Sequence, residues 1–223
     1  VYIPGGDFEL AAGDVISFIA PVRDGRKFLK KNGFQTHQAK SCIIVGGGRA
    51  AYYLAKRLIE LGISVQIVEN KKERCEELSV LLPQAIIVNG DGTSEELLNE
   101  IGITTTESLV PLTGIDEENI MLTLYAKEVS NAKVVTKINR ITYTGVIDQL
   151  DLGSVVYPKY ITSEAIIAFV RSKTATMNNN IETMIHLFDE RVEAIEFVVG
   201  DQSPIVNLPL AQLKLKKNLL VYV

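Results

Sequence analysis

A glycine-rich turn, Gly46-Gly47-Gly48, lies between an apolar run and a helical pattern, and its residue types point to anion binding. With Ala51 it fits G-x-G-x-x-[GA]: the first glycine permits a tight turn, the second lets a pyrophosphate approach the backbone, and the small third residue packs helix on strand. A phosphate at this turn would meet free N–H groups at a helix N-terminus. The pattern alone leaves one alternative open, a glycine turn in an α/β protein that binds no ligand.

Two charged residues near the turn fit a nucleotide. Glu69 ends the next apolar run, about where a carboxylate that binds ribose hydroxyls is expected, although a solvated acid at a strand end is the simpler reading. Such a carboxylate would repel a 2′-phosphate, which favours NAD over NADP, but ATP, ADP and AMP offer the same hydroxyls. Arg49 is a cation in a first helical turn, which the helix dipole disfavours by up to about 1 kcal/mol. A bound phosphate would reverse that sign, unless Arg49 simply extends into solvent.

Later strand ends carry further polar residues. "NGDGT" places Asp91 and Thr93 after the third apolar run, and "LTGIDEEN" places Thr113 and Asp116 after the fourth. In open α/β sheets ligands bind outside the carboxyl ends of strands, so these loops should flank the ligand, although Asp91 and Asp116 are equally suited to helix N-termini. The candidate nucleotide-contacting residues are Gly46, Gly48, Arg49, Ala50, Glu69, Asn70, Asp91, Gly92, Thr93, Thr113, Gly114 and Asp116. We predict no catalytic and no metal-ligating residue.

The elements that would position these residues form an alternating series. The strand candidates are Ser41–Gly46, Ser64–Glu69, Ala85–Gly90, Ser108–Thr113, Ala132–Asn139 and Ser154–Pro158. They are rich in Val and Ile and apolar almost throughout, as expected of strands covered on both faces. Helical spacing lies between them, as in Leu54, Leu58 and Leu61. The pattern predicts an α/β fold, a Rossmann-like doubly wound parallel sheet of six strands with five intervening helices and one more after the last strand.

The two ends of the chain differ from this middle part. Residues 1–22 alternate and carry turn signals, which indicate an antiparallel piece, and the basic, polar residues 23–40 read as a linker. Near the other end, Arg191–Gly200 and Asn218–Val223 are strand candidates around a short helical stretch at Leu210–Leu213. Thr176–Asn180 is the boundary before them. The chain begins without methionine and closes on a strand pattern, so we expect a fragment of a longer protein.

Composition excludes several classes. The 223 residues carry a formal net charge of −4, which argues against a nucleic-acid partner. Two cysteines, Cys42 and Cys75, show no disulfide or zinc spacing, so a reducing cytosol is expected. No apolar run approaches the roughly 18 residues of a membrane helix.

Three segments resemble the TrkA/RCK family, the regulators of potassium conductance: "VGGGRAAYYLAKRLIELGISVQIVEN", "NGDGTSEELLNEIGI" and "PLTGIDEENIMLTLYAKE". The GDGT and LTG-D-x-x-N elements accompany the glycine turn at the family's spacing, while Ala51 stands where the family often has glycine. The resemblance implies four segments. They are the end of a preceding RCK-C (TrkA-C)-like domain in 1–22, a linker in 23–40, a Rossmann RCK-N (TrkA-N) domain in 41–172, and the truncated start of a second RCK-C-like domain in 173–223.

The resemblance also implies a function. A cytosolic regulatory subunit would bind NAD(H) or ATP, ADP or AMP, assemble into a homo-oligomeric dimer or tetramer ring, and gate a TrkH/TrkG-like membrane potassium transporter subunit. It would be cytoplasmic and peripheral at the inner face of the plasma membrane. By family motif, the residues that would carry the nucleotide are Gly46, Gly48, Arg49, Glu69, Asp91, Thr93 and Thr113. Because residues 1–22 resemble what the chain lacks after "NLLVYV", we also hypothesise that Tyr2–Pro4 or Val15–Ile19 pairs with Leu219–Tyr222.

Two other classes compete with a regulator. An NAD-dependent oxidoreductase needs a proton-transfer group near the nicotinamide, and neither His37 nor His186 is obviously placed for it. Tyr52 and Lys56 spell Y-x-x-x-K, but they follow the glycine turn on the first helix, where they cannot face a nicotinamide ring. A redox-sensing repressor would want a basic helix-turn-helix module, which the acidic balance does not favour.

Overall fold

A computed structural model gives the structure of residues 7–14, 16–18, 20–34, 38–140, 144–147, 149–175, 181–187, 192–201, 203, 205–209 and 212–213. The strands are β1 (Ser41–Val45), β2 (Ser64–Glu69), β3 (Ile86–Asn89), β4 (Ser108–Pro111), β5 (Lys133–Lys137), β6 (Ser154–Val156), β7 (Ile181–Leu187) and β8 (Val192–Phe197). The helices are α1 (Val22–Lys31), α2 (Arg49–Glu60), α3 (Lys72–Leu81), α4 (Glu95–Glu100), α5 (Asp116–Val129), α6 (Thr144–Ile147) and α7 (Pro158–Ala175).

Strands β1 to β6 form one parallel sheet in the order β3-β2-β1-β4-β5-β6. Ile44 of β1 lies between Ile67 of β2 and Val110 of β4. Within the described chain, α2 to α6 connect successive strands and α7 follows β6, so the predicted doubly wound, Rossmann-like sheet is confirmed. The strand order reverses between β1 and β4, which is where such folds open a crevice at the carboxyl ends of the strands.

Alternating side chains of the strands build a core on each face of the sheet, because successive residues of a strand point to opposite sides. On one face the core comprises Cys42, Ile44, Ala51, Ala55, Val65, Ile67, Leu78, Leu82 and Val110. On the other it comprises Ile43, Val45, Val68, Leu98, Ile103, Leu109, Leu122, Ala126 and Val134. Each fully buried Ile or Leu contributes about 1.5–3 kcal/mol. Ala51 is 0% exposed, so the small third position of the glycine motif does pack α2 onto the sheet.

The chain divides into two compact units, residues 26–160 and residues 1–25 together with 161–223. The first unit contains the sheet. The second contains the antiparallel pair β7 and β8, in which Met184 lies opposite Ile195. The limits of the first unit, residues 26 and 160, differ from those of the predicted segment 41–172, and they fall inside α1 and α7. The assignment of the four segments stays a prediction.

The segment 23–40, which was predicted as a linker, contains most of helix α1 (Val22–Lys31). Its stop signals were present in the sequence: Lys30 and Lys31 lie in the last turn, where they complement the helix dipole, and Gly33 follows with a φ of 79°. High charge alone therefore misled the reading of this segment.

The predictions for the chain ends are mostly outside the described residues. This holds for Tyr2–Pro4, Val15, Ile19 and Leu219–Tyr222, and for half of Leu210–Leu213. Within the described part of residues 7–20 no strand is formed, so the antiparallel piece expected there is not seen in those residues. Strand β8 lies within the predicted strand Arg191–Gly200, whereas β7 was not predicted.

Candidate functional site

A crevice of about 670 Å³ opens at the carboxyl ends of β1 to β5. Its size is typical of small-molecule sites, which span roughly 300–1,000 Å³. The lining residues are Val45, Gly46, Gly47, Gly48, Val68, Glu69, Asn70, Lys71, Arg74, Asp91, Gly92, Thr93, Leu112, Thr113, Gly114, Ile115, Glu118 and Lys137. Each belongs to a strand end, to a loop that follows a strand, or to the first turns of the next helix.

The three glycines of the turn differ in how much space a side chain would have at each position. Gly46 has a φ of 100°, and a Cβ there would lie 3.0 Å from the carbonyl carbon and oxygen of Leu112. A Cβ on Gly47 would lie 2.7 Å from Leu78 Cδ1 and 3.0 Å from Glu69 Oε2. Gly48 has extended backbone (φ −66°, ψ −175°) and nothing within 4 Å of where its Cβ would be. Internal packing therefore explains the first two glycines but not the third.

A second glycine that lines the crevice also has open space beside it. A Cβ on Gly114, in the loop between β4 and α5, would also meet nothing within 4 Å. Gly48 is the N-cap of α2, and among the described residues no side chain caps the first turn of this helix. The chain thus leaves a cradle beside uncapped helical N–H groups, which suits an anion.

Glu69 faces the glycine turn from the end of β2. Its Oε2 accepts a hydrogen bond from the Gly47 N–H at 2.7 Å, and its Oε1 accepts one from the Lys71 N–H at 2.8 Å. A carboxylate oxygen can accept two hydrogen bonds, so each oxygen retains capacity for a ligand hydroxyl. The predicted ribose-binding acid is held in place by the backbone on both sides.

Arg74, in the first turns of α3, is a crevice residue that the sequence reading missed. Its Nε donates to the Gly47 carbonyl oxygen at 2.7 Å, and its Nη1 donates to Glu77 Oε2 at 2.6 Å. Lys71, beside it, also lines the crevice. The rule that the residues directly after a strand end line the crevice could have found Lys71, whereas Arg74 lies further along the chain, on α3.

The turn after β3 is stabilised by hydrogen bonds between its own residues. Asp91 Oδ1 accepts hydrogen bonds from the Thr93 N–H at 2.9 Å and from the Thr93 hydroxyl at 2.7 Å, and these two bonds lower the pKa of Asp91. Ser94, whose hydroxyl accepts from the Leu97 N–H, is the N-cap of α4. Asp91 is therefore a turn residue at the crevice, and the helix cap lies three residues later.

The loop after β4 is fixed by a buried amide. Asn119 is 0% exposed; its Oδ1 accepts from the Thr113 N–H at 2.9 Å, and its Nδ2 donates to the carbonyl oxygens of Thr113 and Lys137. The Thr113 hydroxyl donates to the Ile115 carbonyl oxygen at 3.0 Å. This network ties the crevice wall at Thr113 to the end of β5.

Lys137 brings a half-buried cation into the crevice. Its Nζ donates to the Leu112 carbonyl oxygen at 3.0 Å. Burial lowers the pKa of Lys137, and the Asp116 carboxylate partly offsets this effect. An anion in the crevice would stabilise the charged ammonium, so this residue, which the sequence reading also missed, has the chemistry of a phosphate contact.

Asp116 lies outside the crevice lining and braces two elements. It is 6% exposed, and its carboxylate accepts from the Asn139 N–H, the Asn139 side-chain amide and the Arg140 N–H, each at 2.9 Å. Burial raises the pKa of Asp116, but these hydrogen bonds and the Arg140 guanidinium outweigh it, so the pKa is lowered. The carboxylate joins the start of α5 to the chain after β5, so its place in this structure is that of a brace.

Most of the predicted site residues come together. Those that line the crevice are Gly46, Gly48, Glu69, Asn70, Asp91, Gly92, Thr93, Thr113 and Gly114, whereas Arg49, Ala50 and Asp116 do not. Arg49 and Ala50 are exposed at the start of α2, immediately after Gly48. Tyr52 and Lys56, also on α2, are not among the lining residues.

A six-stranded parallel sheet with a glycine turn after β1 and an acid at the end of β2 defines a Rossmann-type domain. The chain belongs to the TrkA-N domain family, whose model matches residues 42–158. Its sequence is 28% identical over 222 residues to Trk system potassium uptake protein TrkA homolog 1 of Methanosarcina mazei, covering 99% of this chain and 48% of that protein. With Trk system potassium uptake protein TrkA of Haemophilus influenzae it is 29% identical over 218 residues, covering 98% and 47%. The chain spans about half the length of the curated relatives it matches.

Solved structures share the fold. The TrkA-N domain of the inner membrane protein ybaL from Escherichia coli superposes with a TM-score of 0.53 at 15% identity, covering 60% of this chain and 99% of that one. The GsuK channel superposes with a TM-score of 0.52 at 20% identity, covering 63% and 25%. Among the described residues, no helix has the length and apolar character needed to cross a membrane.

Proposed function

We propose that the crevice binds an adenine nucleotide, NAD(H) or one of ATP, ADP and AMP, and that the chain is a nucleotide-sensing part of a Trk-type potassium uptake regulator. One observation carries the proposal: the structure leaves open space at Gly48 and Gly114 that no internal contact explains. Glu69 beside it has spare acceptor capacity for ribose hydroxyls. The names of the relatives, which refer to Trk potassium uptake, support the transport role.

Different crevice residues would bind different parts of the nucleotide. Glu69 would accept the ribose hydroxyls, and Asp91 and Thr93 would flank the base. Gly48 and the first turn of α2 would hold a phosphate through backbone N–H groups. Lys137 lies on the β5 side, where the second nucleoside of a dinucleotide or the terminal phosphate of ATP would extend.

Sensing suits this site better than turnover. Among the described residues that line the crevice there is no His, Cys, Ser or Tyr, so these common nucleophiles and acid–base groups are not at hand. In the described part of the chain, no cluster of three or more His, Cys, Asp or Glu could hold a metal ion. An NAD-dependent oxidoreductase stays the alternative, and oxidation of a 2-hydroxy acid with NAD would favour it.

In this proposal, the regulator works at the cytoplasmic face of the membrane. It forms a homo-oligomeric ring, a dimer or tetramer, docked on a TrkH/TrkG-like potassium transporter subunit, and nucleotide occupancy changes the transporter's activity. Potassium uptake in cells checks this step: a regulator with a Gly48→Ala crevice should lose its response to nucleotide while one with Gly145→Ala keeps it.

Calorimetric titration with NADH, NAD, ATP, ADP and AMP tests nucleotide binding directly. Gly48→Ala introduces a methyl group into the open cradle and should weaken binding at least about tenfold, while costing at most about 1 kcal/mol of stability as an N-cap change. Gly145→Ala is the matched control, since a Cβ there also meets nothing within 4 Å but lies outside the crevice. Binding of Gly48→Ala with wild-type affinity, or no binding by the wild type, would refute the proposal.

Two variants then separate the candidate ligands. Glu69→Gln removes the charge that repels a 2′-phosphate, so NADPH should gain affinity relative to NADH. Arg49→Ala should affect ATP more than NAD if the guanidinium reaches a terminal phosphate. Equal affinities in Arg49→Ala and wild type would assign Arg49 to solvent.

A further inference from the structure

The peptide groups on both sides of Gly47 are held by side chains from the next β-α unit. The Gly47 N–H donates to Glu69 Oε2 at 2.7 Å, and the Gly47 carbonyl oxygen accepts from Arg74 Nε at 2.7 Å. Leu78 and Glu69 occupy the space beside the Gly47 Cα, where a Cβ would collide with both. Side chains of strand β2 and helix α3 therefore hold Gly47 in place through hydrogen bonds and packing.

The surroundings of Arg74 favour its hydrogen bond to the Gly47 carbonyl oxygen. Its side chain is 23% exposed, and its guanidinium is anchored at two points, Gly47 and Glu77. Arg57 on α2 makes the same type of i,i+3 pair, with Glu60 at 2.7 Å, but its side chain is 72% exposed and, within the described part of the chain, makes no contact with the glycine turn. The contact with Gly47 thus distinguishes Arg74 from an ordinary surface arginine.

A hydrogen bond to the Gly47 carbonyl fixes more than that carbonyl. The Gly47 C=O and the Gly48 N–H belong to one planar trans peptide, in which they point in opposite directions. When Arg74 holds the carbonyl, the Gly48 N–H is directed away from Arg74. Gly48 is the residue whose surroundings are open for a phosphate.

We propose that Arg74 is a positioning residue that sets the orientation of the Gly48 N–H before the nucleotide arrives. This inference rests on the proposed function and deepens it, because it makes phosphate recognition depend on a residue of α3 that need not contact the phosphate. Preorganised donors bind more tightly than donors that must first reorient. Glu69, which holds the preceding peptide, links the same turn to the ribose.

Arg74→Gln tests this role, with Arg57→Gln as the matched control that loses a similar ion pair. Calorimetry with ADP and adenosine should show ADP affinity reduced about tenfold in Arg74→Gln, as for loss of one charge-assisted hydrogen bond, with adenosine changed less than about twofold. Arg57→Gln should match the wild type. Equal ADP affinity in Arg74→Gln and wild type would overturn the proposal.

Salt dependence separates positioning from simple charge attraction. A lost long-range attraction is screened between about 50 mM and about 500 mM salt, whereas a misdirected N–H is not. The tenfold ADP effect should therefore persist at high salt. An effect that disappears at high salt would show that Arg74 acts by its charge alone.

The ligand-free protein provides a readout that does not depend on nucleotide binding. The amide NMR signal of Gly48 should shift or broaden in Arg74→Gln and stay in place in Arg57→Gln. If the wild type binds no nucleotide, the proposed function fails, yet this signal still decides whether Arg74 orients Gly48. Should Arg74→Gln not fold, Arg74→Met replaces it, because its unbranched side chain has no N–H to donate to the Gly47 carbonyl; a wild-type Gly48 signal there would overturn the proposal.

Discussion

Replacing Asn119 by alanine should destabilise the domain by about 2–4 kcal/mol. The side chain is fully buried and makes hydrogen bonds of 2.9 Å to the Thr113 N–H, 3.3 Å to the Thr113 carbonyl and 3.0 Å to the Lys137 carbonyl. Two of these bonds have good geometry, and each backbone group left without a partner costs about 1–3 kcal/mol. The partly buried setting of Thr113 lets water recover some of that cost, which sets the upper limit.

Urea unfolding measures this change, provided that the slope of the transition stays constant between variants. Asn99→Ala is the control, because Asn99 is exposed and donates only a 3.3 Å hydrogen bond to the Tyr125 hydroxyl, so its loss should stay within about 0.5 kcal/mol. Asn119→Asp should be at least as destabilising as Asn119→Ala, since its carboxylate would face two carbonyl oxygens. A loss below about 1 kcal/mol for Asn119→Ala would show that the amide does not hold the Thr113 loop.

Three further predictions concern residues around the crevice. Gly46→Ala should lower the unfolding free energy by about 1–3 kcal/mol in urea, because it combines a positive φ with a backbone collision, whereas Gly48→Ala should lower it by at most about 1 kcal/mol. Burial lowers the folded-state pKa of Lys137, so its charged form carries a penalty that is present at neutral pH and relieved as pH rises toward 10.5. Between about pH 7 and pH 10 the urea midpoint of the wild type should therefore rise relative to that of Lys137→Met, and a constant difference between the two midpoints would contradict this. Asp116 has a lowered folded-state pKa, so its contribution is complete above about pH 3.8 and lost as pH falls through the folded value; Asp116→Asn should show a flatter decline of the urea midpoint at acid pH, and a decline as steep as the wild type's would contradict the brace.

The sheet was predictable because its signal is periodic and local. Apolar strands of Val and Ile, separated by helical spacing, specify a parallel sheet with covered faces, and the glycine turn marks its first crossover. Helix α1 was missed because a charged composition was given more weight than Gly33 and the lysines of the last turn.

The candidate site could be predicted where its residues directly follow a strand, as the glycine turn follows β1. Arg74 escaped because its role depends on a guanidinium reaching across to Gly47, a contact that no spacing rule encodes. Lys137 escaped because only the strand order brings the end of β5 beside the loop after β4. Asp116 was predicted as a ligand contact or a helix cap; its hydrogen-bond partners lie beyond β5, and the sequence separation hides them.

The pairing of β1 with β4 has a consequence for how the domain matures. Ile43 lies beside Leu109, so the two walls of the crevice are brought together by a contact between distant parts of the chain. A nascent polypeptide that ends before Ser108 would present the glycine turn without its opposite wall and β1 with an open hydrogen-bonding edge. Any ligand of the crevice would therefore stabilise the completed domain but not its first half, so ligand binding would act only at a late step of folding.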